Sequence, residues 1–418
     1  MQNLLYKRIT WRILPIVMTG YILSYLDRVN VGFAKLQMLD DLKFSETIYG
    51  LGAAIFFVGY FLFEMPSNII MHKVGARRWL ARIMFTWAIL SGACMFINSP
   101  TTFYVLRFLL GIAEAGFFPG IILYITYWYP ADRQAAVVGL FMSAIALSGI
   151  IGGPLSGAIM QHMAGVNGWA GWQWMFLLEA IPTFLFGFVF LKYLPNGPAD
   201  ATFLSKAERA VVLGNLGKKK LANHSVLATL KQGHIWKLAC LYLCQTMGVY
   251  GFTFWVPSLI KEAGVTNVQD IGFLTAIPYL FAICWMNLVA RHSDAYNERH
   301  RHHLFTAVAG AAGLIAFTLI KDYGQLEYSI AALCLAAGGI LTMAPLFWAI
   351  SNQFYAGPGA AAAIGAIGAF ANISGFIAPY LIGYIKDATG TTSIGVYTVA
   401  AFVLLGTICL QATKRWKT

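Results

Sequence analysis

The chain alternates long apolar runs with short polar connections, and the period of that alternation is the first thing the sequence offers. A helix needs about 20 apolar residues to cross a hydrocarbon core about 30 Å thick. On that measure the pattern predicts spans over residues 11–31, 47–71, 79–98, 102–128, 134–161 and 172–193, then 236–260, 270–290, 302–320, 328–352, 359–385 and 393–413. The predicted fold is an all-α membrane protein of twelve transmembrane helices. The longest connection, 194–235, carries Lys218, Lys219 and Lys220 and divides the chain into a six-helix bundle (1–193), a linker (194–235) and a second six-helix bundle (236–418).

The halves read as repeats. HKVGARR (72–78) follows the second span and SDAYNER (293–299) follows the eighth, while SGIIGGPLSG in the fifth span is matched at nearly the same offset by SGFIAPYLIG in the eleventh. Parallel repeats of six helices predict a transporter whose halves rock about a central site. Gly149, Gly152, Gly153 and Gly157 in the fifth span, with Ala361, Gly365 and Gly368 in the eleventh, predict small-residue faces for close helix approach.

Composition agrees: 59% of residues are hydrophobic and 11% charged, against about 25% charged in soluble domains. The net charge of +12 raises the question of a nucleic-acid partner, and its distribution answers it. With the N-terminus inside, 22 Lys and Arg residues fall on the cytoplasmic side, five (Lys35, Lys43, Lys261, Lys321, Lys386) outside and two within the membrane. The excess is topological, and places both termini in the cytoplasm. No cleavable signal is expected, because the basic start leads into a full-length span. Cys94, Cys240, Cys244, Cys284, Cys334 and Cys409 lie within apolar spans, so neither a disulfide framework nor a metal site is expected.

Ionisable residues inside spans are costly and mark function or a partner. Six stand out: Asp27, Arg28, Glu64, Arg107, Glu114 and Glu179. Counting along the helices puts Asp27 and Arg107 in the outer part of the membrane and Glu114, about 10 Å deeper on the same face as Arg107, near the midplane. A desolvated Glu114 suits proton uptake and release. The Arg107 fork suits an anionic substrate, or Asp27 when the site is empty. A permanent pair of Asp27 with Arg107 or Arg28 is the structural alternative. Glu64 reads as gate or helix-end packing, and Glu179 as a gate residue or a partner of cytoplasmic-side bases. All eight histidines fall in loops or at span ends, which argues against a buried histidine relay.

The second half offers amides, hydroxyls and aromatics instead of buried charge: Gln245, Trp255, Asn287, Ser351, Asn352, Gln353 and Asn372. Asn372 is the strongest candidate for a substrate contact, as an amide in mid-span. The first half is expected to handle charge and protons, and the second to read the neutral part of the substrate.

From Trp11 to Thr413 the chain resembles the anion:cation symporter branch of the major facilitator superfamily. The resemblance is carried by YLDRVNVGFA (25–34), EMPSNIIMHKVGARRW (64–79), LRFLLGIAEAGFFPG (106–120), TYWYP (126–130), GWQWMFLLEAIP (171–182) and the Ser293-Asp294 turn with Glu298-Arg299. It implies two pseudo-symmetric six-helix bundles, alternating access, and import of a small organic carboxylate by proton symport at the inner membrane of a bacterium. Proton coupling would fall on Asp27 and Glu114. Substrate binding would fall on Arg107, Arg28, Tyr60 and Asn372, which Trp255 and Asn352 join from the second-half inventory, and the gating candidates are Arg77, Asp294, Arg299 and, from the buried charges, Glu179. No cofactor beyond the proton is implied, and the partners are the substrate and the bilayer, with a monomer as the working unit. His72 replaces the acidic residue usual in the loop after the second helix. The alternative reading is proton-coupled export of an amphipathic compound; an enzyme is not expected, since no catalytic constellation is present.

Overall fold

A computed structural model of the protein describes residues 2–217, 231–351, 354 and 359–413. It is helical throughout, with no strand among the described residues. The helices are α1 (Gln2–Leu42), α2 (Glu46–Val74), α3 (Ala76–Ala93), α4 (Pro100–Glu114), α5 (Phe117–Thr126), α6 (Ala131–Met142), α7 (Ala144–His162), α8 (Gly171–Tyr193) and α9 (Lys206–Gly217), then α10 (Gly233–Glu262), α11 (Val268–Ala295), α12 (His300–Ile320), α13 (Leu326–Ser351), α14 (Gly359–Ala371), α15 (Ile373–Thr389) and α16 (Thr392–Ala412).

Twelve spans result, because α4 with α5, α6 with α7 and α14 with α15 each make one crossing. Among the described residues, eleven segments are long and apolar enough to cross a membrane on hydropathy alone. The twelfth, α10, is 30 residues long. Its polar positions Gln245, Thr246, Thr253 and Ser258 are all buried, which is how a less apolar helix can still stand in lipid.

Local chemistry sets the ends. Ser45 caps α2 by accepting from the Ile48 amide at 3.2 Å, and Ser99 and Thr102 form a capping box with Pro100 in the first turn of α4. Asn267 caps α11 through the Gln269 amide at 2.8 Å. The breaks inside spans are equally local. Gly116 sits at φ +87° between α4 and α5, a conformation that favours glycine, so Glu114 ends a helix in mid-span. Asn372 holds the junction of α14 and α15.

Cross-half contact runs mainly along two helix pairs, α7 with α11 and α2 with α15, with α1 against α10 between them. A Cβ on Gly153 would stand 2.5 Å from the Gly272 carbonyl oxygen, and one on Gly272 2.3 Å from that of Gly153. The fifth-span glycines thus meet a helix as expected. The eleventh-span set does not: Gly365 and Gly368 face open space, and the small residues that meet α2 lie further along, at Gly375 and Gly383.

The two halves are sealed at one end, the end that the charge pattern assigns to the outside. There α1 continues to Leu42, well beyond the predicted span, and Lys35 is 4% exposed rather than in a loop. Lys35 pairs with Glu46 at 2.7 Å, Glu46 with Lys386 at 2.7 Å, and Lys386 with Glu262 at 3.0 Å. Asp387 accepts from the Thr47 and Glu46 amides at 2.7 and 3.2 Å, capping α2 from the other half. Lys261 donates to the Leu36 carbonyl at 3.1 Å. At the opposite end, α9 of the linker docks on the first half through an Arg8–Glu208 pair and an Asn215–Tyr6 hydrogen bond of 3.2 Å.

Candidate functional site

Adjacent residues of a helix point about 100° apart, and α1 uses this to present Asp27 and Arg28 to different neighbours. Arg28 forms a buried ion pair with Glu114, whose same oxygen accepts from the Ser24 hydroxyl at 2.7 Å. The guanidinium is ringed by aromatic groups, with its carbon 5.9 Å from the Tyr25 centroid, 5.4 Å from Phe56, 6.0 Å from Phe57 and 5.3 Å from Tyr60. Such rings attract a cation through their faces. Phe57 packs edge-on to Tyr250 of the second half at 4.8 Å, and the Tyr250 hydroxyl donates to Asn372 Oδ1 at 3.2 Å. Arg28, Tyr60 and Asn372 therefore belong to one cluster shared by the two halves. Glu64 lies against the Asn372 side chain, so it borders this cluster rather than packing only at a helix end.

Asp27 turns the other way. It accepts from Trp87 Nε1 at 2.6 Å, from the Ser91 hydroxyl and from Asn30 Nδ2 at 3.3 Å. The expected pair with Arg107 or Arg28 is not made: the Arg107 charge acts on Asp27 across space, but they do not touch. Arg107 is 0% exposed, lies 5.0 Å over Phe56, and donates from Nε to the Gly52 carbonyl at 3.4 Å. Its Nη1 and Nη2 have no hydrogen-bond partner among the described residues. Placed by counting in the outer part of the membrane, it is enclosed within the first half, where α4 packs it against α2 and Gly52 and Gly59 allow close approach.

Glu179 makes no ion pair with a cytoplasmic-side base among the described residues. It is 7% exposed and accepts from Ser156 at 2.6 Å and from Asn30 Nδ2 at 3.0 Å. The remaining gating candidates brace their own halves. Arg77 donates from Nε to the Leu194 carbonyl at 2.6 Å and from its backbone to Asn196 at 3.1 Å. Arg299 pairs with Asp294 and bonds Ser293 at 2.8 Å. Trp255 stands apart from the Arg28 cluster, in the outer seam, edge-on to Tyr49 at 5.9 Å with Lys35 Nζ 3.4 Å above its ring. Asn352 lies outside the described residues. His303, one turn into α12, is 0% exposed, so one histidine at a span end is buried after all.

Sequence reasoning missed Asn30, Ser24, Trp87, Ser91 and Ser156. For Asn30 a signal existed: it follows Asp27 by three residues and so shares its helix face. The serines and the tryptophan carry no such mark. Chemically, the first half sets the Arg28–Glu114 pair against a seam whose other wall is aromatic and amide, and holds behind it Arg107 without a carboxylate and Asp27 and Glu179 without a cation.

A model of the Major Facilitator Superfamily matches residues 17–379. A protein of Agrobacterium vitis named "Putative tartrate transporter" is 46% identical over 406 residues, covering 96% of this chain and 89% of that protein. One of Pseudomonas putida named "Putative metabolite transport protein NicT" is 42% identical over 405 residues, covering 96% and 92%. Among solved structures, a D-xylose-proton symporter superposes with a TM-score of 0.75 at 16% identity, covering 95% of this chain and 96% of that one, a likeness of fold. These relatives fit the anion:cation symporter branch that the motifs resemble. The chain is a multi-pass membrane transporter and not an enzyme, and it belongs to the major facilitator superfamily.

Proposed function

We propose that the protein imports a small organic carboxylate together with protons, by alternating access, as a monomer in the bacterial inner membrane with both termini in the cytoplasm. The observation that carries this reading is the Arg28–Glu114 pair at the aromatic seam between the halves. A guanidinium binds one carboxylate as a planar fork, so a substrate carboxylate and Glu114 compete for Arg28. Protonating Glu114 releases the guanidinium to the substrate, and substrate release restores the pair. That exchange ties proton binding to anion binding without a moving cofactor. Tyr60 and Asn372 flank the anion site from the two halves, and Asp27 is a second proton acceptor beside it. The relatives named for tartrate and for a metabolite support a small acid as substrate.

The test is uptake into proteoliposomes under an inward proton gradient, with tartrate, sugar acids and aromatic acids offered in turn. Accumulation that collapses with the gradient is expected. Movement of no carboxylate, or accumulation that survives collapse, would overturn the reading. In Glu114→Gln the ratio of gradient-driven accumulation to counterflow is expected to fall at least tenfold.

A further inference from the structure

We propose that Asp27 and Glu179, bridged by Asn30, form one proton-binding site, which makes Glu179 a proton-carrying residue of the carrier rather than a gate. The proposal rests on the proton-coupled reading above and adds to it a second, separate place where the proton resides.

Three observations carry it. The first is burial without a counter-charge. Asp27 is 3% exposed and Glu179 7%, and every donor to them is neutral: Trp87, Ser91 and Asn30 to Asp27, Ser156 and Asn30 to Glu179. A buried charge is held by a partner of opposite sign or is given up. The second is the bridge. One amide nitrogen, Asn30 Nδ2, reaches Asp27 at 3.3 Å and Glu179 at 3.0 Å, so the two carboxyl groups sit at a single site, and two such groups do not both ionise.

The third is the other end of that amide. Asn30 is 0% exposed and its Oδ1 has no donor among the described residues. A carboxylic O–H is the donor it lacks. Turned one way the amide serves a carboxylate through Nδ2, and turned the other it accepts from a carboxylic acid through Oδ1. Asn30 can therefore satisfy the site in both of its protonation states.

The charged surroundings fit the role. Glu114 and Arg107 of α4 are the charges that act on Asp27, without touching it, and Asp27 is the charge that acts on Glu179. When the proton leaves, the negative charge appears beside Arg107, whose Nη1 and Nη2 are uncommitted. Because Asp27 adjoins Arg28 on α1, a change of charge on one face of that helix is felt on the face that holds the substrate.

Infrared difference spectroscopy of the purified full chain through a pH titration tests the site without any substrate. A protonated-carboxyl band that titrates in the wild type is expected to disappear or shift in both Glu179→Gln and Asp27→Asn. Asn30→Ala, which leaves both carboxyl groups in place, is expected to move its midpoint. A band and midpoint unchanged in Glu179→Gln would overturn the proposal. In proteoliposomes probed with labelled tartrate, an inward gradient of one pH unit supports up to about tenfold accumulation for one proton per substrate. Glu179→Gln is expected to reduce accumulation relative to counterflow by about that factor. Failure of the wild type to accumulate under any gradient would defeat the symport reading, and the infrared result would still decide whether the proton is shared. Wild-type accumulation that Asp27→Asn abolishes and Glu179→Gln preserves would defeat this proposal alone.

Discussion

The two halves of the molecule share one architecture and divide its chemistry unequally. In the first, Asp27, Arg28, Lys35, Arg107, Glu114 and Glu179 are all buried; in the second, no Asp, Glu, Lys or Arg is buried among the described residues. Six costly groups on one side of a seam and none on the other is not what packing alone produces, since packing acts on both halves alike. The asymmetry gives the seam a direction, and on the proposed function the charged end of the substrate would meet the first half and its neutral part the second. It also concentrates in the first half the groups whose charges can depend on one another.

The strongest way to break this comparison is to remove the ion pair. Arg28→Met leaves Glu114 buried without its cation, which costs about 3–5 kcal/mol where a pair is broken from one side. A large loss of thermal stability in detergent and loss of uptake are expected together. Adding Glu114→Gln is expected to restore most of the stability and none of the uptake, because it removes the stranded charge without rebuilding an anion site. Full uptake by either variant would show that Arg28 is structural and move the anion to Arg107, the other buried guanidinium.

A milder substitution sharpens the second half's share. Asn372 accepts from Tyr250 and lies against Glu64, so Asn372→Ala removes at least about 1 kcal/mol of hydrogen bonding. If the second half reads the neutral part of the substrate, KM rises by about fivefold and the ratio of accumulation to counterflow stays as it was. A change in that ratio would mean that the coupling machinery extends across the seam and that the division is not real.

How far the sequence could be read follows the same divide between local and distant causes. Apolar run length placed all twelve spans, because the bilayer acts on each helix separately. The breaks at Gly116 and Asn372 were harder to see, since a glycine or an amide inside a helix is common and only the backbone shows which one turns the chain. Arg28 and Glu114 were legible as costly residues, but their pairing depends on which faces of α1 and α4 meet. Depth counting gave Arg107 a height along the membrane but not its enclosure within the first half, because it does not measure distance from the helix-bundle axis. The outer seam left no trace at all: nothing in the sequence joins Glu46 to a lysine 340 residues further on.

That seam is where the second half does contribute charge, and it provides the smallest of the expected effects. Lys386 is 22% exposed and shared by Glu46 and Glu262, a position where an ion pair is worth about 0.2–1 kcal/mol. Lys386→Gln is expected to loosen the outer closure by no more than about fivefold. The readout lies next to it, in the Glu46 and Thr47 amides that donate to Asp387. Their hydrogen exchange, followed by mass spectrometry in the full chain, is expected to quicken by that factor in the variant, and in the wild type at high salt. Exchange unchanged by either would assign the closure to backbone packing. A Cβ on Gly383 would lie 2.4 Å from the Glu46 carbonyl oxygen, and one on Gly50 2.6 Å from that of Pro379; contacts this close hold two helices together without any charge. The rim lysines and glutamates would then set only how the halves are aligned, leaving the buried charge of the first half as the electrostatics that transport uses.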